Sequence, residues 1–186
     1  MTWPSQFVAV PTNALVLDER LSPPDKATQQ QLANYVSAVP SVHQRLASGF
    51  TDADFQAMHR NPLTVEERQV ADAYYHMYSP AGRNHRIEAE FVDGKGLVVT
   101  KGRHRFAAAQ DVGLRTLPVH VRASDQTTLD RVTRQLESEA SESPEVVAQF
   151  RKLDADHRGA RGEQPIRNEG ARTRDTGIER PRYRGH

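Results

Sequence analysis

The chain has 186 residues, with 25 lysines and arginines against 24 aspartates and glutamates, and no cysteine. That length suits one domain with additions or two small ones, and the near-balanced charge favours neither nucleic acid nor membrane, so only local clusters carry information. Without cysteine there is no disulfide framework, no thiolate zinc site and no cysteine nucleophile. The opening residues, Met1 to Phe7, lack the basic stretch and apolar core of a signal peptide. No apolar run approaches the roughly 20 residues that span a bilayer. A soluble cytoplasmic protein without a membrane partner is expected.

Phe7, Val8, Ala9 and Val10 read as a short edge strand stopped by Pro11, with Val16 and Leu17 as a continuation. Between residues 25 and 39, Leu32, Tyr35, Val36 and Val39 fall at helical spacing, and Pro40 is read as closing that helix. Residues 51–59 carry Phe55 and Met58 on one face, with Thr51 and Asp54 spaced as a capping pair. Thr64 to Glu67 forms a second capping box, opening a helix with Val70, Tyr74, Met77 and Tyr78 on its stripe.

The period then changes to two. Ile87, Ala89 and Phe91 alternate with Arg86, Glu88 and Glu90, as in a strand with one wet face. Asp93-Gly94 signals a two-residue turn, after which residues 97–100 return as the partner strand. Residues 103–112 place Phe106, Ala109 and Val112 on one helical face, and Gly113 suits a left-handed cap. Residues 117–121 form a third strand, residues 127–139 a helix through Leu129, Val132 and Leu136, and Pro144 opens a last helix with Val147 and Phe150.

Beyond Leu153 the composition shifts to arginine and glycine, with Ile166, Ile178 and Tyr183 the only large apolar side chains. Such a segment buries too little surface to offset its ordering entropy. Residues 1–153 are therefore expected to form the domain and residues 154–186 a disordered tail, dispensable for the melting temperature.

The chemistry concentrates in Gly102-Arg103-His104-Arg105, at the start of the helix over residues 103–112. A helix N-terminus carries about half a positive charge, so each cation there costs about 0.3–1 kcal/mol. Three in succession, with Lys101 just before them, do not serve helix stability. An anion seated on the open N–H groups reverses the sign of that cost, glycine lets it approach the backbone, and arginine grips phosphate oxygens as a fork. The bland alternative is a set of solvated surface charges on a turn.

The stretch Gly102-Arg103-His104-Arg105-Phe106-Ala107-Ala108-Ala109, followed by Gly113-Leu114 and Leu117-Pro118-Val119-His120-Val121, resembles the signature of the ParB/sulfiredoxin superfamily. The resemblance covers about residues 88–121. It implies an α+β fold, a small mixed β-sheet with packed helices, in which residues 36–80 are a helical insertion. It also implies a nucleotide triphosphate, CTP or ATP with Mg²⁺, held on Gly102, Arg103, His104 and Arg105. Relatives of this kind act in DNA maintenance, partition or mobile-element transfer, which implies DNA, through the basic tail, and a second copy of the chain as partners. Sulfiredoxin's catalytic cysteine would fall at Arg103, which excludes that activity.

A reading from another class is an enzyme, a nucleotide hydrolase, phosphotransferase or nuclease that holds phosphate on the same turn. Glu88 and Glu90, on one side of their strand, are its candidate catalytic residues, as base or beside Mg²⁺. A third reading is a degenerate protein- or DNA-binding module. His43, His59, His76, His85, His104 and His120 are scattered without metal-ligand spacing, so no resident metal site is expected. Tyr74, Tyr75 and Tyr78 would suit base stacking, but the spacing of Tyr74 and Tyr78 fits a core.

Overall fold

The computed structural model describes residues 2–82 and 86–162. Strand β1 (Ser5–Pro11) leads through a 3-10 turn at Thr12–Ala14 into the two-residue strand β2 (Leu15–Val16). Four helices follow, α1 (Lys26–Ser37), α2 (Val39–Ala47), α3 (Asp52–Arg60) and α4 (Val65–Met77). Then come β3 (Ile87–Val92), β4 (Gly96–Lys101), α5 (Arg103–Asp111), β5 (Thr116–Arg122), α6 (Gln126–Ala140) and α7 (Pro144–Ala160). The class is α+β with a mixed five-stranded sheet in the order β1-β5-β3-β4-β2, as expected from sequence.

The sheet is built outward from β5. This strand pairs antiparallel with β1, from Ser5 opposite Arg122 to Pro11 opposite Thr116, and parallel with β3. Six of its seven residues are buried, and the one that breaks its apolar run is His120. Strand β4 pairs antiparallel with β3, and β2 adds only Leu15 and Val16 alongside Leu97 and Val98. The β3–β4 turn is longer than the two residues expected. Asp93, Gly94 and Lys95 lie between the strands, and Gly94 and Gly96 both take positive φ.

Pro40 opens a helix rather than closing one. It occupies the first turn of α2, where its missing N–H would have had no helical partner. Val39, Val42, His43 and Leu46 are the buried face of that helix. Tyr74 stacks on Phe55 with ring centroids 3.9 Å apart, and both Tyr74 and Tyr78 are core residues, whereas Tyr75 lies at the surface against His59.

The expected boundary at residue 153 is wrong. Helix α7 continues to Ala160, and both Asp154 and His157 are buried. The Phe7 N–H donates to Asp154 Oδ1 at 2.8 Å, and Arg158 donates to the Ser5 carbonyl at 3.1 Å. These two side chains satisfy the free edge of β1 as a neighbouring strand would. The His157 ring packs on Phe7 and donates from Nε2 to the Tyr78 carbonyl at 2.8 Å. The remainder of the expected tail, residues 163–186, lies outside the described residues.

His120 reports on this core. Arg86 donates to its Nε2 at 3.0 Å, and a guanidinium cannot accept, so the ring is neutral with its proton on Nδ1. Burial, followed by the neighbouring His157 and Arg86, pushes its pKa down to about 2. The unfolded chain takes up this proton below about pH 6.5 while the native chain refuses it. The contribution to stability is thus fully present above that pH and declines as the pH falls towards 2. Urea midpoints should drop between pH 7 and 5.5 more steeply in the wild type than in His120→Gln, which keeps an acceptor for Arg86 but does not titrate. Equal slopes would show that His120 is protonated in the native state.

Candidate functional site

The 102–105 turn lies where β4 hands over to α5. Gly102 is the residue before the helix, at φ 75° and ψ 26°, in the left-handed region open to glycine. A Cβ built there would stand 3.0 Å from the Arg86 carbonyl oxygen, from Ile87 Cα and from Ile87 Cγ1. The glycine therefore has a packing reason of its own, since it lets the start of α5 lie against the start of β3.

Like the start of α2, which Ala38 precedes, the start of α5 has no side-chain cap, and it alone of the two fills its first turn with basic residues. Asp25, Thr51, Thr64, Asp125 and Ser143 each cap their helix through a side chain. Gly102 has no side chain to offer, and no acidic residue lies in the first turn of α5. The first turn is Arg103, His104 and Arg105, as read from sequence. Helix-end N–H groups, the macrodipole and three cationic or ionisable side chains thus share one place.

The three side chains diverge. Arg103 reaches out to Glu19, Nη1 to Oε2 2.9 Å, and His104 donates from Nε2 to the Ser22 carbonyl at 2.9 Å. Both partners belong to the segment 17–25 between β2 and α1, which is also tied by Asp18 to Lys95 at 3.0 Å. Arg105 is half-buried, on the side of Tyr35 in α1. Burial pulls its guanidinium below the ordinary arginine value, and the nearby Tyr35 opposes that shift. Gln31 donates to the Tyr35 hydroxyl oxygen at 2.8 Å, which leaves the phenol proton directed elsewhere. Neither Glu19 nor Tyr35 was marked as part of the site by the sequence.

Glu88 lies beside the turn in β3, but not as a free carboxylate. One oxygen is 3.5 Å from Lys101 Nζ and the other 3.4 Å from Arg122 Nη2. Its surroundings are those of a counter-ion that joins β3 to β4 and β5. Glu90, two residues on, sits opposite Val98 in β4 and Arg122 in β5, half-buried, past a register shift between Glu88 and Ala89. Among the described residues no group of three or more histidine, aspartate or glutamate side chains is placed to hold a metal ion.

Histidine–carboxylate pairs do form, from residues far apart in the chain. His43 Nδ1 is 3.0 Å from Glu142 Oε1, which also accepts from Thr116 Oγ1 at 2.6 Å, and His59 Nδ1 is 3.0 Å from Asp72. Glu142 is held below the ordinary carboxylate range by those donors, against the opposing effect of its burial. The first pair ties α2 to the link between α6 and α7, and the second ties α3 to α4. His43 and Glu142 line a cavity of about 530 Å³ at the other end of α5, beside Gly113 and Arg115.

No family model matches the chain, and no curated protein matches it. Among solved structures it is similar to the C-terminally truncated chromosome-partitioning protein ParB from Caulobacter crescentus, complexed with CTP-gamma-S. That similarity covers 69% of this chain at 15% identity with a TM-score of 0.32, and the chain spans about half, 51%, of the other's length. No helix among the described residues is long and apolar enough to cross a membrane.

Proposed function

We propose that this protein is a nucleotide-binding module that seats the phosphates of CTP or ATP on Gly102, Arg103, His104 and Arg105. One observation carries the reading. The first turn of α5 lacks a side-chain cap and an acidic residue, and presents Arg103, His104 and Arg105 instead. A phosphate chain supplies the negative charge that this arrangement lacks, meeting backbone N–H groups and guanidinium donors together. The sequence likeness of residues 88–121 to the ParB/sulfiredoxin superfamily supports the same assignment. A role in DNA maintenance, partition or transfer, and assembly as a homodimer, rest on that likeness alone.

A binding role fits this geometry better than a catalytic one. Glu88, the better placed of the two candidate catalytic carboxylates, already faces two cations, and abstracting a proton or holding Mg²⁺ would mean breaking that arrangement. Its role in this reading is to position Lys101 beside the phosphate turn.

Calorimetric titration with CTP, ATP, GTP and ADP, with and without Mg²⁺, tests the proposal. The expected result is measurable affinity for at least one triphosphate, weakened tenfold or more in Arg103→Ala, since a hydrogen bond to a charged group contributes about 1.5–3 kcal/mol. Arg103 is the clean probe because its side chain is 37% exposed and its only described partner is Glu19. Arg105→Ala should weaken binding as well, but its burial makes a parallel melting curve necessary. Affinity that survives the loss of Arg103 would place the phosphates elsewhere.

A further inference from the structure

The segment 17–25 brings its own anions to the cationic turn. The Glu19 carboxylate sits on Arg103 at 2.9 Å, and the Ser22 carbonyl accepts from His104 at 2.9 Å. Two of the three first-turn side chains of α5 are therefore engaged by oxygen atoms from a segment more than 80 residues earlier in the chain. The segment is held at its start by Asp18 on Lys95, and at its end by Asp25, which caps α1 through the Thr28 N–H. Between these fixed points lie Leu21, Pro23 and Pro24, which line a groove of about 670 Å³ with Lys26, His104 and Ala108. The Glu19 side chain is 68% exposed, so it is held by charge and not by packing.

From this arrangement we infer that Glu19 is an internal competitor for the phosphate turn, and that it sets how strongly an anion must bind to occupy the site. The inference rests on the phosphate assignment above. A carboxylate tethered a few residues from two anchors acts at an effective concentration of millimolar order or more. An anion of one or two charges gains little by replacing it, because it exchanges one ion pair for another. A chain of linked phosphates gains more, since it keeps contact with the helix N–H groups and Arg105 while displacing Glu19 from Arg103. Glu19 thereby weakens every anion that needs Arg103 by the same factor, so that only a chain of phosphates with enough further contacts still binds measurably. Its contribution is modest, as befits an exposed ion pair.

The test uses the full chain and Glu19→Gln, titrated with inorganic phosphate, pyrophosphate and tripolyphosphate at low salt. The wild type should bind tripolyphosphate and show little affinity for inorganic phosphate. In Glu19→Gln each anion that reaches Arg103 should bind more tightly by the same factor, about two- to fivefold. Asp18→Asn loosens the same segment without touching the turn and should change affinity in the same direction by less. If the wild type binds tripolyphosphate and Glu19→Gln binds it equally or more weakly, Glu19 does not compete, and the inference fails while the phosphate turn stands. If neither chain binds any of the three, the phosphate assignment fails and takes this inference with it.

Discussion

A chain ending at Leu153 should unfold at a much lower urea concentration than one ending at Gly162. The nine residues between them complete the core. His157 is fully buried, with its ring centroid 4.7 Å from Phe7 and 4.8 Å from His120. Removing it exposes the face of Phe7 and leaves the Tyr78 carbonyl without its 2.8 Å donor. Removing Asp154 leaves the buried Phe7 N–H without an acceptor, at a cost of about 1–3 kcal/mol. Loss of a large buried side chain adds about 2–5 kcal/mol. Against a total stability of roughly 5–15 kcal/mol, the sum is enough to leave the shorter chain largely unfolded or molten. Asp154 contributes less than its contacts suggest, because burial raises its pKa and opposes its charge despite the Phe7 N–H and Arg158. Equal urea midpoints for the two chains would show that the last turns of α7 are not part of the folding unit.

Gly102→Ala is expected to cost about 2–3 kcal/mol and to lower the melting temperature measurably. The left-handed conformation alone disfavours a β-carbon by about 1–2 kcal/mol. Here that carbon would also lie 3.0 Å from a backbone oxygen and from two carbons of Ile87, none of them the far end of a flexible side chain. Relief requires the start of α5 to move away from β3, carrying Arg103 and His104 with it. The variant should therefore lose stability and ligand affinity together, whereas Arg103→Ala should lose affinity alone. A Gly102→Ala protein as stable as the wild type would mean that the turn relaxes freely, and would shift the reason for the glycine to the ligand.

Two of the chain segments that sequence reasoning misjudged share one cause. In α2 and at the end of α7, the buried face includes a histidine or an aspartate, His43 in one and Asp154 and His157 in the other. A pattern that counts apolar residues assigns such positions to solvent. Nothing local indicates that His157 will find the Tyr78 carbonyl, or Asp154 the Phe7 N–H, because both partners lie far away in the chain. The β3–β4 hairpin, α5 with its Gly113 cap, and α6 were legible because their periodicity and turn residues are local. The cationic turn was legible for the same reason, being four consecutive residues. Its partners Glu19, Ser22 and Tyr35 were not, since they are brought to it by the packing of α1 and of the segment before it.

The pairing of β1 with β5 has a consequence for how the protein is made. The first strand has no sheet neighbour until residues 116–122 exist, and its outer edge has no cover until α7 does. On a ribosome β1 must wait through the synthesis of more than a hundred residues, carrying Phe7, Val8 and Val10 with no partner in the sheet. Contacts so distant in sequence slow folding, and an unpaired strand is open to association with other chains. The helices α1 to α4 can pair among themselves during this interval, while β1 joins the sheet only after β5 has been made. The growing chain therefore carries an apolar strand that stays without a sheet neighbour until β5 has followed it.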